Sequence, residues 1–483
     1  MPFLLLLCLS LACLPVDWHA PPLAHSHKDS LIGALTAAGV LFAYVLAVTW
    51  RTRRRLRTRP EQRDRWLAEY GRARTRFALL AMALFVLVLY GYGWGWAVQG
   101  VVRGWVGESP LPPGTELLIL APLPLSLTLS WAVFYDAERA VVPGARPFGG
   151  RWGYVGLQVR QSLALICAPV IVLALLNGLF RQFAATRNEN VQTIILVPLG
   201  IVAVVLLPRL VRLLLKLEPM PPGRLYDRLE AAGKRLNCRY SHIHVWNTKN
   251  GMANAMVVGM APWLRYVLLS DRLIDEFTPD EAESVFGHEA GHVKHRHMAY
   301  YLAFLTASLV MVSRTGALLQ VWAKARWPET VAALTAGGLE TWLALPMTVG
   351  LAAYIFSVFG YISRRCERQA DIFGCRAVSC PDPDCAGHDE KTGRVAGGAG
   401  LCRSGIATFC GALNKVAELN GISRARPGWL HSWQHSTIAK RVAFLERMAA
   451  EPAIEPHFQK RLFRIKTVLL VATAAAAAVL CLI

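Results

Sequence analysis

The sequence predicts a mostly α-helical integral membrane protein: a multi-spanning helical bundle carrying a polar α+β domain at the cytoplasmic face, the domain split by a transmembrane pair. Three observations predict it. Of 483 residues, 54% are hydrophobic and only 17% charged, and the mean hydropathy of +0.35 is too high for a soluble globular chain. The apolar residues come in runs long enough to cross hydrocarbon. The basic residues, which give a net charge of +20, gather beside those runs, as membrane orientation requires. They form no basic module with interleaved aromatics, so nucleic acid is not an expected partner.

The chain opens with an apolar run, 3–16, too short to span a bilayer comfortably. It has the length of a signal-sequence core, but no lysine or arginine precedes Lys28. Cys13 follows Ala12 as in a lipoprotein site, yet Ser10 does not suit one. Residues 1–29 are read as a signal-like or extra-cytoplasmic segment. Five spans are expected within 30–216, at 31–50, 77–98, 117–135, 161–180 and 193–208. Their linkers alternate in charge. The first, 51–76, is dense in arginine, and the second holds only Arg103. Arg139, Arg146, Arg151 and Arg160 load the third, against Arg181 and Arg187 in the fourth. Arg209, Arg212 and Lys216 then open a long polar region, which this alternation puts in the cytoplasm.

That region comes in two blocks, 217–298 and 363–464, separated by a transmembrane pair within 299–362, with spans expected at 299–322 and 341–362. Arg314 inside the first of these either snorkels to the far interface or marks a shallow hairpin. Lys460, Arg461, Arg464 and Lys466 precede a C-terminal helix in 465–483 and agree with the cytoplasmic placement. The first block begins with a helical pattern at 225–236, followed by strand-like runs at 243–246, 255–258 and 266–269. Thr278-Pro279-Asp280-Glu281 then supplies a capping hydroxyl, a proline at the first helical position and a capping-box glutamate.

The helix so started carries His288-Glu289-Ala290-Gly291-His292. Histidines four apart leave one helix face together and can grip one metal ion. Glu289, beside the first, is placed to take a proton from an attacking water. An amphipathic helix with surface histidines would spell the same letters. A catalytic zinc needs a third protein ligand. Glycine at 295 and histidine at 298 would supply the metzincin pattern, but the chain has His295 and Met298. A glutamate from a second helix is the other solution, and Glu367-Arg368-Gln369-Ala370-Asp371 offers Glu367. Asp371, one turn on, is spaced to accept a hydrogen bond from a ligand imidazole. His295 and His297 are read as interfacial polar residues. Eight residues separate His292 from Tyr300, about 12 Å along a helix, so the site is expected at the membrane surface. That position favours substrates in, or emerging from, the bilayer.

The runs Asn254-Ala255-Met256-Val257-Val258-Gly259 and Arg265-Tyr266-Val267-Leu268-Leu269-Ser270, the histidine helix, and a late His435-Ser436-Thr437-Ile438-Ala439-Lys440-Arg441 occur in that order. Together they resemble the membrane-embedded gluzincin zinc metallopeptidases, the family of HtpX and the CAAX prenyl endopeptidases, over about 220–445. The resemblance implies a zincin-like catalytic domain with zinc on His288, His292 and Glu367. It implies Glu289 as general base, with Asp371 and Arg441 supporting the ligands. It also implies an edge strand at Asn254, Ala255 and Met256 that pairs with an extended substrate, and His435 as a donor to the oxyanion. His431 rivals His435 for that role, and Ser436 stands where proline is usual. The pattern is interrupted from 375 to 410, where Cys380, Cys385, His388 and Cys402 sit in a Pro-, Gly- and Asp-containing insert. A second, structural zinc and a loop with ordinary thiols are both open readings of it.

The expected function is a zinc-dependent endopeptidase of the cytoplasmic membrane face, acting on membrane proteins in quality control. Processing of prenylated C termini is the alternative within the class. An inactive membrane scaffold is the alternative outside it, although such a domain would normally have lost a ligand or the base.

Overall fold

The structure, a computed structural model, describes residues 18, 23–24, 26–107, 109–144, 147–183, 188–336, 350, 353–382, 385 and 401–482. Among these, four helical runs are long and apolar enough to cross a membrane: His27–Thr58, Pro60–Gly91, His297–Arg326 and Ile454–Leu482. A bent pair, Ile194–Ala203 and Val205–Leu215, meets at 56° and makes a fifth if taken as one span.

The N-terminal region contains α1 (His27–Thr58), α2 (Arg63–Val86), α3 (Trp94–Val106), α4 (Thr115–Leu120), α5 (Pro122–Val141), α6 (Arg151–Gln158), α7 (Leu165–Gln182) and α8 (Glu189–Leu215). Ser26 and Asp29 form a capping box at the start of α1. The spans expected at 31–50 and 299–322 fall inside such runs, but others differ for local reasons. The expected 77–98 span ends at Gly91, because Gly93, at φ 62°, turns the chain before α3. The expected 117–135 span is broken in two, since Pro122 starts a new helix as its first residue. The far end of that helix carries Asp136, Glu138 and Arg139, which lipid-facing helices avoid. A wide π-helical turn, Val159–Ala164, opens the expected 161–180 span, and α8 contains Pro198 and Pro208. Half of the span expected at 341–362 lies outside the described residues, as does most of 1–29.

A four-stranded sheet follows, in the order β1-β2-β4-β3. It comprises β1 (Glu218–Pro219), β2 (His242–Trp246), β3 (Ala255–Val258) and β4 (Tyr266–Ser270), with α9 (Arg224–Arg235) between the first two. β2 and β4 run parallel, β3 lies antiparallel to β4, and β4 is buried along its whole length. β3 is therefore an edge. Its residues alternate between two cores: Ala255 and Val257 pack toward α9 and the metal-site helices, Met256 and Val258 toward the N-terminal helices.

Ser270 caps the short α10 (Asp271–Glu276), and the Thr278–Glu281 capping box starts α11 (Pro279–Lys294) as the sequence predicts. Arg296, at φ 51°, breaks the helix before the spanning α12 (His297–Arg326). Beyond α13 (Pro328–Ala336), a π-helical turn at Ile355–Phe359 leads into α14 (Gly360–Ala377). α15 (Arg403–Leu419), α16 (Trp429–His435), α17 (Ile438–Ala450) and the spanning α18 (Ile454–Leu482) complete the described chain. α11 and α14 lie flush because glycines face the seam. A Cβ on Gly287 would stand 2.3 Å from Ala377 Cβ, and one on Gly291 would stand 3.0 Å from Ala370 Cα. The N-terminal helices meet this domain at several points. A Cβ on Gly71 of α2 would lie 2.3 Å from Pro427 O, just before α16. Arg272 Nη2 donates to Pro143 O at 2.7 Å.

Candidate metal centre and active site

The seam between α11 and α14 brings His288, His292 and Glu367 together. One donor atom from each lies within 4.8 Å of the others. His288 Nε2 and His292 Nε2 are 3.3 Å apart. Glu367 Oε2 is 3.8 Å from the first, and its Oε1 is 3.5 Å from the second. His288 and Glu367 are buried and His292 is half-buried.

Partners on the far side of each ring fix the proton positions. His288 Nδ1 lies 3.0 Å from Asp371 Oδ1, at ion-pair distance though imperfectly aligned as a hydrogen bond. Asp371 is fully buried, and Arg441 grips it through both Nε, at 2.9 Å, and Nη2. Burial alone would raise the Asp371 carboxyl, but the guanidinium and the imidazole hold it below its usual range. Beneath His288, the Phe409 ring of α15 stacks at 5.8 Å and 22°. His292 Nδ1 faces His297 Nδ1 at 2.9 Å, and His297 Nε2 meets Gln369 Oε1 at 2.9 Å. The amide of Gln369 continues to Gln459 Oε1 at 2.5 Å. An amide oxygen only accepts, so His297 carries its proton on Nε2 and receives the one on His292 Nδ1.

Both Nδ1 protons thus point away from the site. Burial keeps His292 neutral, pulled down to about 4. At His288 burial also opposes charge, but Asp371 outweighs it and raises the pKa. Two Nε2 lone pairs and a carboxylate then face one small space, an arrangement of acceptors that repels itself unless a cation sits among them. Nitrogen and oxygen donors in this number suit zinc with an open fourth position. Burial alone would raise Glu367, but His435, His292 and His288 hold it well below the usual carboxylate range.

Glu289 lies among His288, Glu367 and His435 and reaches the sheet edge, where its Oε2 accepts the Val257 amide at 3.0 Å. Enclosure pushes its carboxyl up to about 7. His435 is exposed on its outer side, yet its Nδ1 lies 3.1 Å from Glu367 Oε2, and that carboxylate raises its pKa. Arg441 Nη1 stands 3.9 Å from the same oxygen. Ser436 takes φ 66° and ψ 173°, a turn that proline cannot adopt. Asn254 clasps the start of β3 to β4. Its amide donates to Ser270 Oγ at 2.9 Å, its carbonyl accepts from Ser270 N at 2.9 Å, and its Oδ1 accepts from Ala255 N at 3.0 Å.

One sequence reading is corrected. His297 is not an interfacial polar residue: it is completely buried and hydrogen-bonded to a candidate ligand. His295 caps α11, half-buried beside Phe373, and is not among the converging groups. His431 belongs to α16, but its side chain lies outside the described residues, as does the whole of His388.

Residues 222–446 match the family model for Peptidase family M48. The crystal structure of S. mikatae Ste24p superposes with a TM-score of 0.55 at 17% identity, covering 86% of this chain and 98% of that one. At that identity the likeness is one of fold. No curated protein matches the chain.

Proposed function

We propose, from the premise that residues 222–446 are a zinc metallopeptidase domain of family M48 in a multi-pass membrane protein, that His288, His292 and Glu367 hold the catalytic zinc. The observation that carries this reading is the ring of three acceptors, between 3.3 and 3.8 Å apart, with Glu289 on the same helix. The bound metal supplies Lewis-acid polarisation of the scissile carbonyl and lowers the pKa of water toward neutrality. Glu289 takes the proton of the attacking water on its carboxylate and passes it to the leaving amine. Asp371, locked by Arg441, and His297, locked by Gln369, keep the two ligand rings in the tautomer that leaves Nε2 bare. His435 donates a hydrogen bond to the developing oxyanion. An extended peptide lies along the edge at Asn254, Ala255 and Met256.

The arginine-rich linkers support a cytoplasmic catalytic domain. The start of α12 beside His292 supports substrates at the membrane surface, and quality control of membrane proteins is the role we assign. A second reading, processing of prenylated C termini, is favoured by one feature: Tyr300 and Phe304, in the first turns of the spanning α12 after His297, join Phe359 and Trp433 in an apolar cluster. Reconstitution in vesicles with a proteomic cleavage readout, wild type against Glu289→Gln, tests the activity. Loss of all cleavage products in the variant is expected; equal products from both would end the mechanism. Paired peptides with and without a prenyl chain separate the two substrate readings.

A further inference from the structure

We propose that Cys380, Cys385 and Cys402 hold a second zinc ion, structural and separate from the catalytic centre, which fastens the start of α15 to the end of α14. The three sulfurs lie within 4.8 Å of one another. A tetrahedral zinc with bonds of about 2.3 Å spaces its sulfurs by roughly 3.8 Å, so the thiols need to close by no more than about 1 Å. Three sulfur donors around one point select zinc over the hard cations.

The backbone around them is already fixed. α14 ends at Ala377, three residues before Cys380, and Cys402 is the cap of α15. Gly405 N donates to Cys402 Sγ at 3.2 Å, the kind of amide contact that holds a ligating sulfur in place. Ser379 Oγ accepts from Cys402 N at 3.1 Å while donating to Cys375 O at 2.9 Å, which stitches the two helix ends together. A Cβ on Gly405 would stand 2.3 Å from that hydroxyl, so the approach is close. The neighbouring Cys375 and Cys410 are different: they are buried in an apolar cluster with Ile406 and Phe409, whereas Cys380 and Cys385 are half-exposed.

The intervening sequence shows why packing alone would not do. From 381 to 401 the large apolar residues are Val395 and Leu401, among two prolines and five glycines. A metal cross-link at Cys380, Cys385 and Cys402 joins the two helix ends without needing apolar burial from the sequence between them. The beneficiary is α15. Its Phe409 supports the His288 ring, and its Lys415 pairs with Glu281 at 3.0 Å.

The test is metal content and zinc-edge X-ray absorption on the full chain in detergent. Wild type should carry two equivalents of zinc with sulfur in the mean shell. The Cys380→Ser, Cys402→Ser variant should keep one equivalent in a shell of nitrogen and oxygen only. The His288→Ala, His292→Ala variant should keep one in a sulfur-rich shell. A wild-type shell without sulfur overturns the proposal, as does a cysteine variant that retains both equivalents. If the cysteine variant fails to fold, the wild type and the histidine variant still decide through their sulfur content. The proposal stands beside the catalytic reading: a protein with only sulfur-bound zinc would keep this site and sink the other, and a sulfur-free single zinc would do the reverse.

Discussion

Two of the acid–arginine clusters among the described residues, one in the N-terminal helices and one at the metal site, are built for different ends. In the first, Glu138 of α5 accepts from Tyr70 Oη at 2.7 Å and Tyr154 Oη at 3.3 Å. Arg74 stays 4.0 Å from that carboxylate and lies 4.3 Å from the Phe134 ring centre. The cluster closes on itself and joins α2, α5 and α6. In the second, Arg441 spends its planar fork on Asp371, and Asp371 spends its remaining capacity on His288. That chain ends in a bare nitrogen. The same chemistry thus serves as glue where the groups tie three helices together, and as a pointing device where the last nitrogen faces His292 and Glu367.

Substitutions can break or sharpen this contrast. The largest effect is expected at Glu289→Gln, where turnover should fall by about 10²–10⁴-fold with zinc content unchanged, since the amide cannot accept a proton. Cleavage of a peptide substrate with parallel metal analysis checks it. Arg441→Met comes next: it strands Asp371 in the interior and should cost about 3–5 kcal/mol of stability together with zinc affinity. Arg74→Met should cost less and leave zinc affinity alone, because its carboxylate keeps two phenol donors; thermal unfolding and zinc titration on both variants test the contrast. Asp371→Asn and His297→Ala should each weaken zinc affinity by about 10–100-fold, read by competition with a chelator. If His297→Ala bound zinc as tightly as wild type, the buried histidine would be ordinary packing. The smallest effect is expected at Ser436→Gly, which should stabilise by about 1 kcal/mol by relieving a positive φ, whereas Ser436→Pro should disrupt the turn.

The convergence of His288 and His292, the first pair of proposed ligands, is legible in the sequence because helical spacing alone puts positions four apart on one face. The capping box was legible for a similar reason, being wholly local. Glu367 required a second helix to be matched to the first, which spacing does not encode. His297 was visible as a histidine and misjudged, because its position depends on Arg296 leaving the helix and swinging the next residue back under His292. A histidine five residues beyond such a motif, at the start of an apolar helix, is the available signal. Apolar length ran the expected spans past helix ends near Pro122 and Gly93, since hydropathy does not register where a helix ends. It also passed over Glu138, whose partners come from helices 68 and 16 residues away in the chain.

The Val257 amide has a consequence for the order of events. Its proton is held by Glu289, yet it belongs to the outer edge of β3, the edge to which an incoming peptide strand would add. The two claims are mutually exclusive: a strand that hydrogen-bonds there must unlatch the carboxylate as it arrives. On the roles proposed for Glu289 and β3, docking and arming of the base become a single interlocked exchange, the carboxylate staying tethered to the protein's own backbone until a strand arrives.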